Sequence, residues 1–189
     1  LAVVWDISGE VTIERFIPAG DDETRAFRLL TSGVNSTESI NTNWQEGVTT
    51  EDINPNPNPG FGTHITGGDA LDGFDQSGTN NPSMFTFNNA LIPMGSQTQN
   101  DAWSSLSNTN VRTLTAGEPY LVFIRGDRSI DLSLNSSSPT NATLRATGVL
   151  HLGSLSYDLN SQPELYSLVG NPYQAVVDAD WIDNPGCFS

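Results

Sequence analysis

The chain has no lysine and few charges of either kind. Seven arginines supply all its positive charge against 22 aspartates and glutamates, and the formal net charge is -15. A field of that sign repels phosphate backbones and anionic headgroups, so nucleic acid and direct membrane insertion are not expected, while multivalent cations, calcium foremost, are attracted. Cysteine is equally scarce. Cys187 stands alone near the end, so no internal disulfide staples the fold, and the thiol is free or pairs with another chain. No apolar run approaches the roughly 18 residues that a membrane-spanning helix needs. Histidine is limited to His64 and His151, and the Gly-x-Ser-x-Gly, His-Glu-x-x-His and phosphate-loop patterns are all missing. The chain opens on Leu1 with neither an initiator methionine nor a basic-then-apolar leader, as expected of a processed chain or an excerpt of a longer one.

What is present is a chain of 189 residues, 36% hydrophobic, with 17 glycines and 11 prolines. Much of the rest is Asn, Ser and Thr. That length suits a single domain over residues 1–189 and can bury roughly 70% of its unfolded surface. Few charges, one cysteine and many small polar residues read as extracellular.

The apolar pattern has a period of two. Val11 and Ile13 alternate with Thr12 and Glu14, and residues 2–7 before them are apolar enough for a strand covered on both faces, with Ser8 and Gly9 turning between the two. Residues 18–22 break the pattern, and 25–31 read as a strand rather than a short helix. Residues 32–60 are polar and rich in breakers, with Trp44 in their middle. The Asn-Pro repeat at 54–60 lacks three amide donors and reads as an extended surface loop. Short strands are expected at 61–66, 83–87, 143–152 and 165–169. Residues 120–134 read as a hairpin in which Gly126 and Asp127 form the turn and Gly126 supplies a positive φ. Roughly ten antiparallel strands with long polar loops and no long amphipathic helix predict an all-β fold, a β-sandwich.

Asp69, Asp72 and Asp75 lie on a glycine-rich loop where carboxylates can converge on calcium, although the spacing is not that of an EF-hand and a solvated acidic loop is the simpler account of them. Asp21, Asp22 and Glu23, and Asp178, Asp180 and Asp183, form two further acidic groups. Arg15, Arg25, Arg28, Arg125, Arg128 and Arg145 fall in or beside strands, where pairing with carboxylates such as Glu14 and Asp127 is expected. The Arg125-Gly126-Asp127 triplet matches the integrin-binding tripeptide, a match short enough to arise by chance. Trp5, Trp44, Trp103 and Trp181 either plug the core or stack on sugars. Trp44 and Trp103, in polar surroundings, are the candidates for carbohydrate binding. His151 sits in an apolar strand, and His64, beside the glycine loop, is the more open to function.

In order along the chain, several blocks carry a resemblance. They are residues 11–18 (Val-Thr-Ile-Glu-Arg-Phe-Ile-Pro), 25–30 (Arg-Ala-Phe-Arg-Leu-Leu) and 43–47 (Asn-Trp-Gln-Glu-Gly). Residues 58–67 (Asn-Pro-Gly-Phe-Gly-Thr-His-Ile-Thr-Gly), 79–85 (Thr-Asn-Asn-Pro-Ser-Met-Phe) and 114–120 (Leu-Thr-Ala-Gly-Glu-Pro-Tyr) follow. The last are 125–128 (Arg-Gly-Asp-Arg), 143–148 (Thr-Leu-Arg-Ala-Thr-Gly) and 168–173 (Leu-Val-Gly-Asn-Pro-Tyr). Over about residues 10–180 the chain resembles a β-rich module of long secreted and cell-surface proteins of Bacteroidetes, of the flavobacterial kind exported by type IX secretion. The resemblance brings no catalytic residues with it. It implies a non-enzymatic structural or adhesive module on the bacterial cell surface, a unit of a surface assembly or filament. The partners would be neighbouring modules or subunits of the same surface protein. A carbohydrate-binding module for polysaccharide attachment is the alternative, and a polysaccharide-cleaving enzyme comes third.

Overall fold

The structure, a computed structural model, describes residues 7–19, 25–48, 56–134, 136–160, 162–173 and 175. Among them are seven strands and one helix. In chain order these are β1 (Glu10–Ile17), β2 (Ala26–Leu30), β3 (Val34–Asn35), α1 (Ile40–Trp44), β4 (Met84–Phe87), β5 (Trp103–Ser105), β6 (Tyr120–Ile124) and β7 (Ala142–Leu150). They form two antiparallel sheets, one ordered β1-β7-β3 and the other β2-β6-β4-β5. Among the described residues the protein is all-β apart from one turn and a half of helix and two short 3-10 turns.

Alternation builds both sheets. In β7, Ala142, Leu144 and Ala146 are buried while Thr143, Arg145 and Thr147 between them are half-buried, and the strand pairs with β1 from Glu10 opposite Val149 to Ile17 opposite Ala142. In β6 the buried residues are Tyr120, Val122 and Ile124. These rows join Ile17, Leu30, Val34 and Met84 in one apolar cluster, to which both sheets contribute and against which Val11 and Ile13 pack. Gly148 lies further along β7, where β3 crosses closely: a Cβ there would fall 2.3 Å from the Asn35 carbonyl oxygen.

Three of the expected strands take another form. Residues 125–134 do not return as the second arm of a hairpin, and β6 pairs with β2 and β4 instead. Gly126 does take the positive φ, at +132°. The chain after it is then claimed by side chains. Asp127 accepts from Ser129 N, Thr140 Oγ1 and Gly60 N, Asp131 accepts from Ser133 N, and Arg128 turns into the interior. Ile130 and Leu132 are buried without belonging to a strand.

Residues 165–169 are likewise not a strand. Tyr166 is gripped at its amide and carbonyl by the Gln99 side chain, and Leu168 at both groups by Asn89 (2.8 and 2.9 Å). These amides supply the bonds that a neighbouring strand would. Residues 61–66 form only isolated bridges, Phe61 to Thr143 and Thr66 to Asp75, although 62–66 are buried. The remaining strands of the expected ten are not found among the described residues, and the strand expected at 2–7 lies outside them except for Ile7.

Candidate functional site

The most concentrated polar chemistry lies inside the molecule. Asp75 is 3% exposed and Arg128 is fully buried, and they meet in a two-point contact, Nη1 to Oδ2 at 3.0 Å and Nη2 to Oδ1 at 2.5 Å. Oδ2 also accepts from Gln45 Nε2 (2.9 Å) and from the Ile65 amide (3.0 Å). Arg128 Nη1 continues to the Thr63 carbonyl, and Thr63 Oγ1 donates to Gly126 O. Gln45 Nε2 and Thr109 Oγ1 both donate to Gly73 O. Four segments far apart in sequence are thereby tied at one point: the end of α1, residues 63–65, the acidic loop, and the turn after β6. A bidentate guanidinium–carboxylate pair with its remaining lone pairs filled is the arrangement in which two buried charges become tolerable.

Burial pushes the Asp75 carboxyl up, and the neighbouring His64 and Arg128 more than reverse it, holding the group at about 2. A carboxyl lowered from 3.8 contributes stability that is complete above its unfolded value and is lost as pH falls through 4 toward 2. The expected contribution is about 2 kcal/mol. Acid titration of stability, followed by urea melts at pH 2 to 5, should show a steeper wild-type slope than Asp75→Asn. Parallel slopes would mean that the carboxyl titrates normally.

His64 is fully buried beside this pair. Its Nδ1 is 3.3 Å from Asp75 Oδ1, close enough for attraction but outside hydrogen-bond geometry, and its Nε2 has no hydrogen-bond partner. The imidazole does not face solvent. His151 is half-buried, its ring 5.8 Å from that of Tyr173.

The three loop aspartates part company. Asp69 Oδ1 accepts from the Leu71 amide (2.9 Å) and caps a 3-10 turn, Ala70–Asp72, which ends at Gly73 with φ +86°. Asp72 Oδ1 accepts from Asn108 Nδ2 (2.6 Å). Asp75 points into the core and its oxygens are taken by Arg128, Gln45 and Ile65, so it cannot share an ion with the other two. The set does not fit calcium. Among the described residues no group of three or more His, Cys, Asp or Glu side chains is placed to hold a metal ion. The acidic groups at 21–23 and at Asp178, Asp180 and Asp183 lie outside the described residues, as do Trp5, Trp181 and Cys187.

The two tryptophans also separate. Trp44, at the end of α1, is 3% exposed and lies in the core, edge-on to Tyr120 with ring centroids 5.6 Å apart. It is brought there because Ser39 caps the helix and Asn43 bonds to Ser39 O, Ser36 Oγ and Thr147 N, which buries the face that carries Ile40 and Trp44. Trp103 is half-buried on β5. Phe87 stands 4.8 Å from it across the strand pair, and Tyr166, 49% exposed, stacks on Phe87 at 5.3 Å and 22°. Side-chain amides pin the nearby backbone: Gln99 bonds to Tyr166, Asn89 to Leu168, and Asn160 Nδ2 donates to Leu91 O. The residues that sequence reasoning missed here are Phe87 and Tyr166. Phe87 was legible only as the opposite number of Trp103, and Tyr166 only once its segment was seen pinned by Gln99.

Of the arginines expected to pair with carboxylates, Arg128 does so with Asp75 and Arg145 with Glu46. Arg145 pairs with Glu46 and lies 4.3 Å over the Phe61 ring, Arg112 pairs with Glu118, and Arg25 donates to Ser137 O. Arg125 lies 4.8 Å over the Phe123 ring, and burial lowers the pKa of its guanidinium. Asp127 is engaged by Ser129, Thr140 and Gly60, so the Arg-Gly-Asp triplet serves the fold. Compared with known proteins, the chain matches no family model, no curated protein and no solved structure.

Proposed function

We propose that the chain is a non-catalytic structural or adhesive module of an extracellular bacterial surface protein, its two sheets the layers of a β-sandwich that carries long, pinned loops. The observation that supports this reading most directly is the use made of the reactive side chains. The most tightly assembled carboxylate, guanidinium and imidazole are sealed together as a cross-tie, where they stiffen and cannot meet a substrate. The abundant asparagines act in the same sense. Asn41 donates to Val48 O, Asn80 to Gly68 O and Asn160 to Leu91 O, so loops are fixed by side chains where strands are few. Rigidity with a polar exterior suits a unit that spaces or links other domains. Antibodies against this chain should label the surface of intact source cells and decorate extended assemblies in electron micrographs. Label confined to the cell interior would overturn the reading.

A second reading rests on the cluster of Trp103, Phe87 and half-exposed Tyr166, whose aromatic faces suit stacking on a pyranose. Screening against a glycan array should then give a binder whose affinity falls at least about tenfold in Trp103→Ala and Tyr166→Ala. A wild-type protein that binds no glycan removes this reading and leaves the first intact.

A further inference from the structure

Each sheet ends in a strand that is paired on one side only. β1 ends the three-stranded sheet and β2 the four-stranded one, and neither has a second neighbour among the described residues. Both open edges lie on the same flank of the molecule. A groove of about 520 Å³ runs between them, lined by residues 15–18 at the end of β1 and by 27–30 of β2. A smaller hollow beside it joins residues 13–15 to 30–33. Higher numbers on β1 thus meet lower numbers on β2, so the two strands run antiparallel to each other across the layers, with Phe16 about level with Leu29. The flank is apolar. Phe16, Phe27 and Leu29 are 63, 50 and 57% exposed. All three belong to the outer faces of their sheets, because Ile17 opposes the buried Ala142 and Leu30 the buried Tyr120 in the inner rows. Exposed apolar side chains beside open strand edges make a pairing surface.

We propose that this flank joins two copies of the chain in a symmetric dimer, β1 of each copy pairing antiparallel with β2 of the other. A half-turn about an axis parallel to the strands, along the flank, exchanges the two layers and leaves strand direction unchanged. It sets β1 of the second copy beside β2 of the first, antiparallel to it, and β2 of the second beside β1 of the first. One copy therefore supplies both missing neighbours, whereas a single added strand would satisfy one edge. The side chains agree with that operation. Residues that are level stay level, so Phe16 of each copy falls beside Leu29 of the other on the outer face, with Phe27 diagonal to it, and this apolar cluster forms twice. Charge selects the same pairing. β1 carries Glu10 and Glu14 with Arg15, while residues 25–30 carry Arg25 and Arg28 and no acid. β1 on β2 joins unlike charges, and β2 on β2 would gather guanidiniums from both copies. The three-stranded sheet of each copy then runs on into the four-stranded sheet of the other. Because both copies use the same patch, the contact closes at two.

Mixing single-cysteine variants tests this. In a Cys187→Ser background, Phe16→Cys and Leu29→Cys are purified separately and oxidised alone and together. Mixing them should give at least about tenfold more covalent dimer than either variant alone, or than Phe16→Cys mixed with Leu71→Cys at the 80% exposed Leu71. Light scattering on the unaltered chain at about 100 μM should give twice the chain mass, and Leu29→Arg, at an exposed position, should raise the dimer Kd at least about tenfold. A monomer at that concentration, trapping as efficient with Leu71→Cys or within one variant alone, or a Leu29→Arg protein that still dimerises as tightly would each overturn the proposal. So would a ladder of higher oligomers, which a closed two-fold contact cannot propagate.

Discussion

Asp75→Ala is expected to lower the unfolding free energy by about 3–5 kcal/mol, because it strands a guanidinium in the interior. Arg128 is fully buried and would keep only the Thr63 carbonyl among the acceptors named for it here, while Gln45 Nε2 and the Ile65 amide each lose a hydrogen bond. For a chain of this size a loss of that order lowers Tm by about 10 °C or more. Arg128→Met should cost a similar amount for the opposite reason, leaving a buried carboxylate with too few donors. The double variant Asp75→Ala with Arg128→Met should be less destabilised than the sum of the two, because neither charge then remains. Urea melts of the four proteins give the coupling. Additive losses, or a single variant as stable as wild type, would show that the pair does not hold the four segments together.

That cross-tie illustrates what the sequence concealed. Asp75 and Arg128 are 53 positions apart, one on an acidic glycine loop that reads as solvated surface and the other in a turn where pairing with its neighbour Asp127 is expected. Nothing local marks them as interior, because the cost of burial is met by a partner that only the tertiary structure supplies. β1, β2, β4, β6 and β7 were legible because alternation there coincides with a sheet that has one buried face. The same alternation at Ile130 and Leu132 misled. It reports which side chains point inward, and it does so equally for a coil whose backbone groups are taken up by Asp127 and Asp131.

The side-chain amides explain much of the remaining gap between expectation and structure. Asn89 and Gln99 each offer a donor and an acceptor on one planar group, so a single residue can grip both the N–H and the C=O of a passing segment. A chain rich in such residues can dispense with strand partners in its loops, as it does at residues 165–169. It also shows why Trp44 was misread. Its neighbours Asn41, Asn43 and Gln45 look like exposed surroundings, yet all three are buried, and their amides bond to backbone carbonyls around α1. Polar composition is a poor guide to exposure wherever the polar groups are fully bonded.

Trp44→Ala and Trp103→Ala should consequently fail in different ways. Removing the Trp44 indole empties the space between α1, Tyr120 and β7, and truncation of a buried tryptophan costs about 3–5 kcal/mol. Tyr120 suffers in addition. Its hydroxyl donates to Glu118 at 2.6 Å, and burial together with that carboxylate pushes its pKa up, so the ring cannot swing out to fill the void without exposing that bond. Trp44→Ala should therefore melt about 10 °C or more below wild type, and at low temperature, where it is still folded, keep any glycan affinity that the wild type has. Trp103→Ala removes a half-buried ring from the edge strand β5 and should cost about 1 kcal/mol, while abolishing glycan binding if the aromatic platform is the site. Differential scanning calorimetry alongside titration with the best array ligand separates the two. A Trp44→Ala protein that melts like wild type but has lost a ligand would place its indole at a surface, and with it the core built on α1 would have to be redrawn.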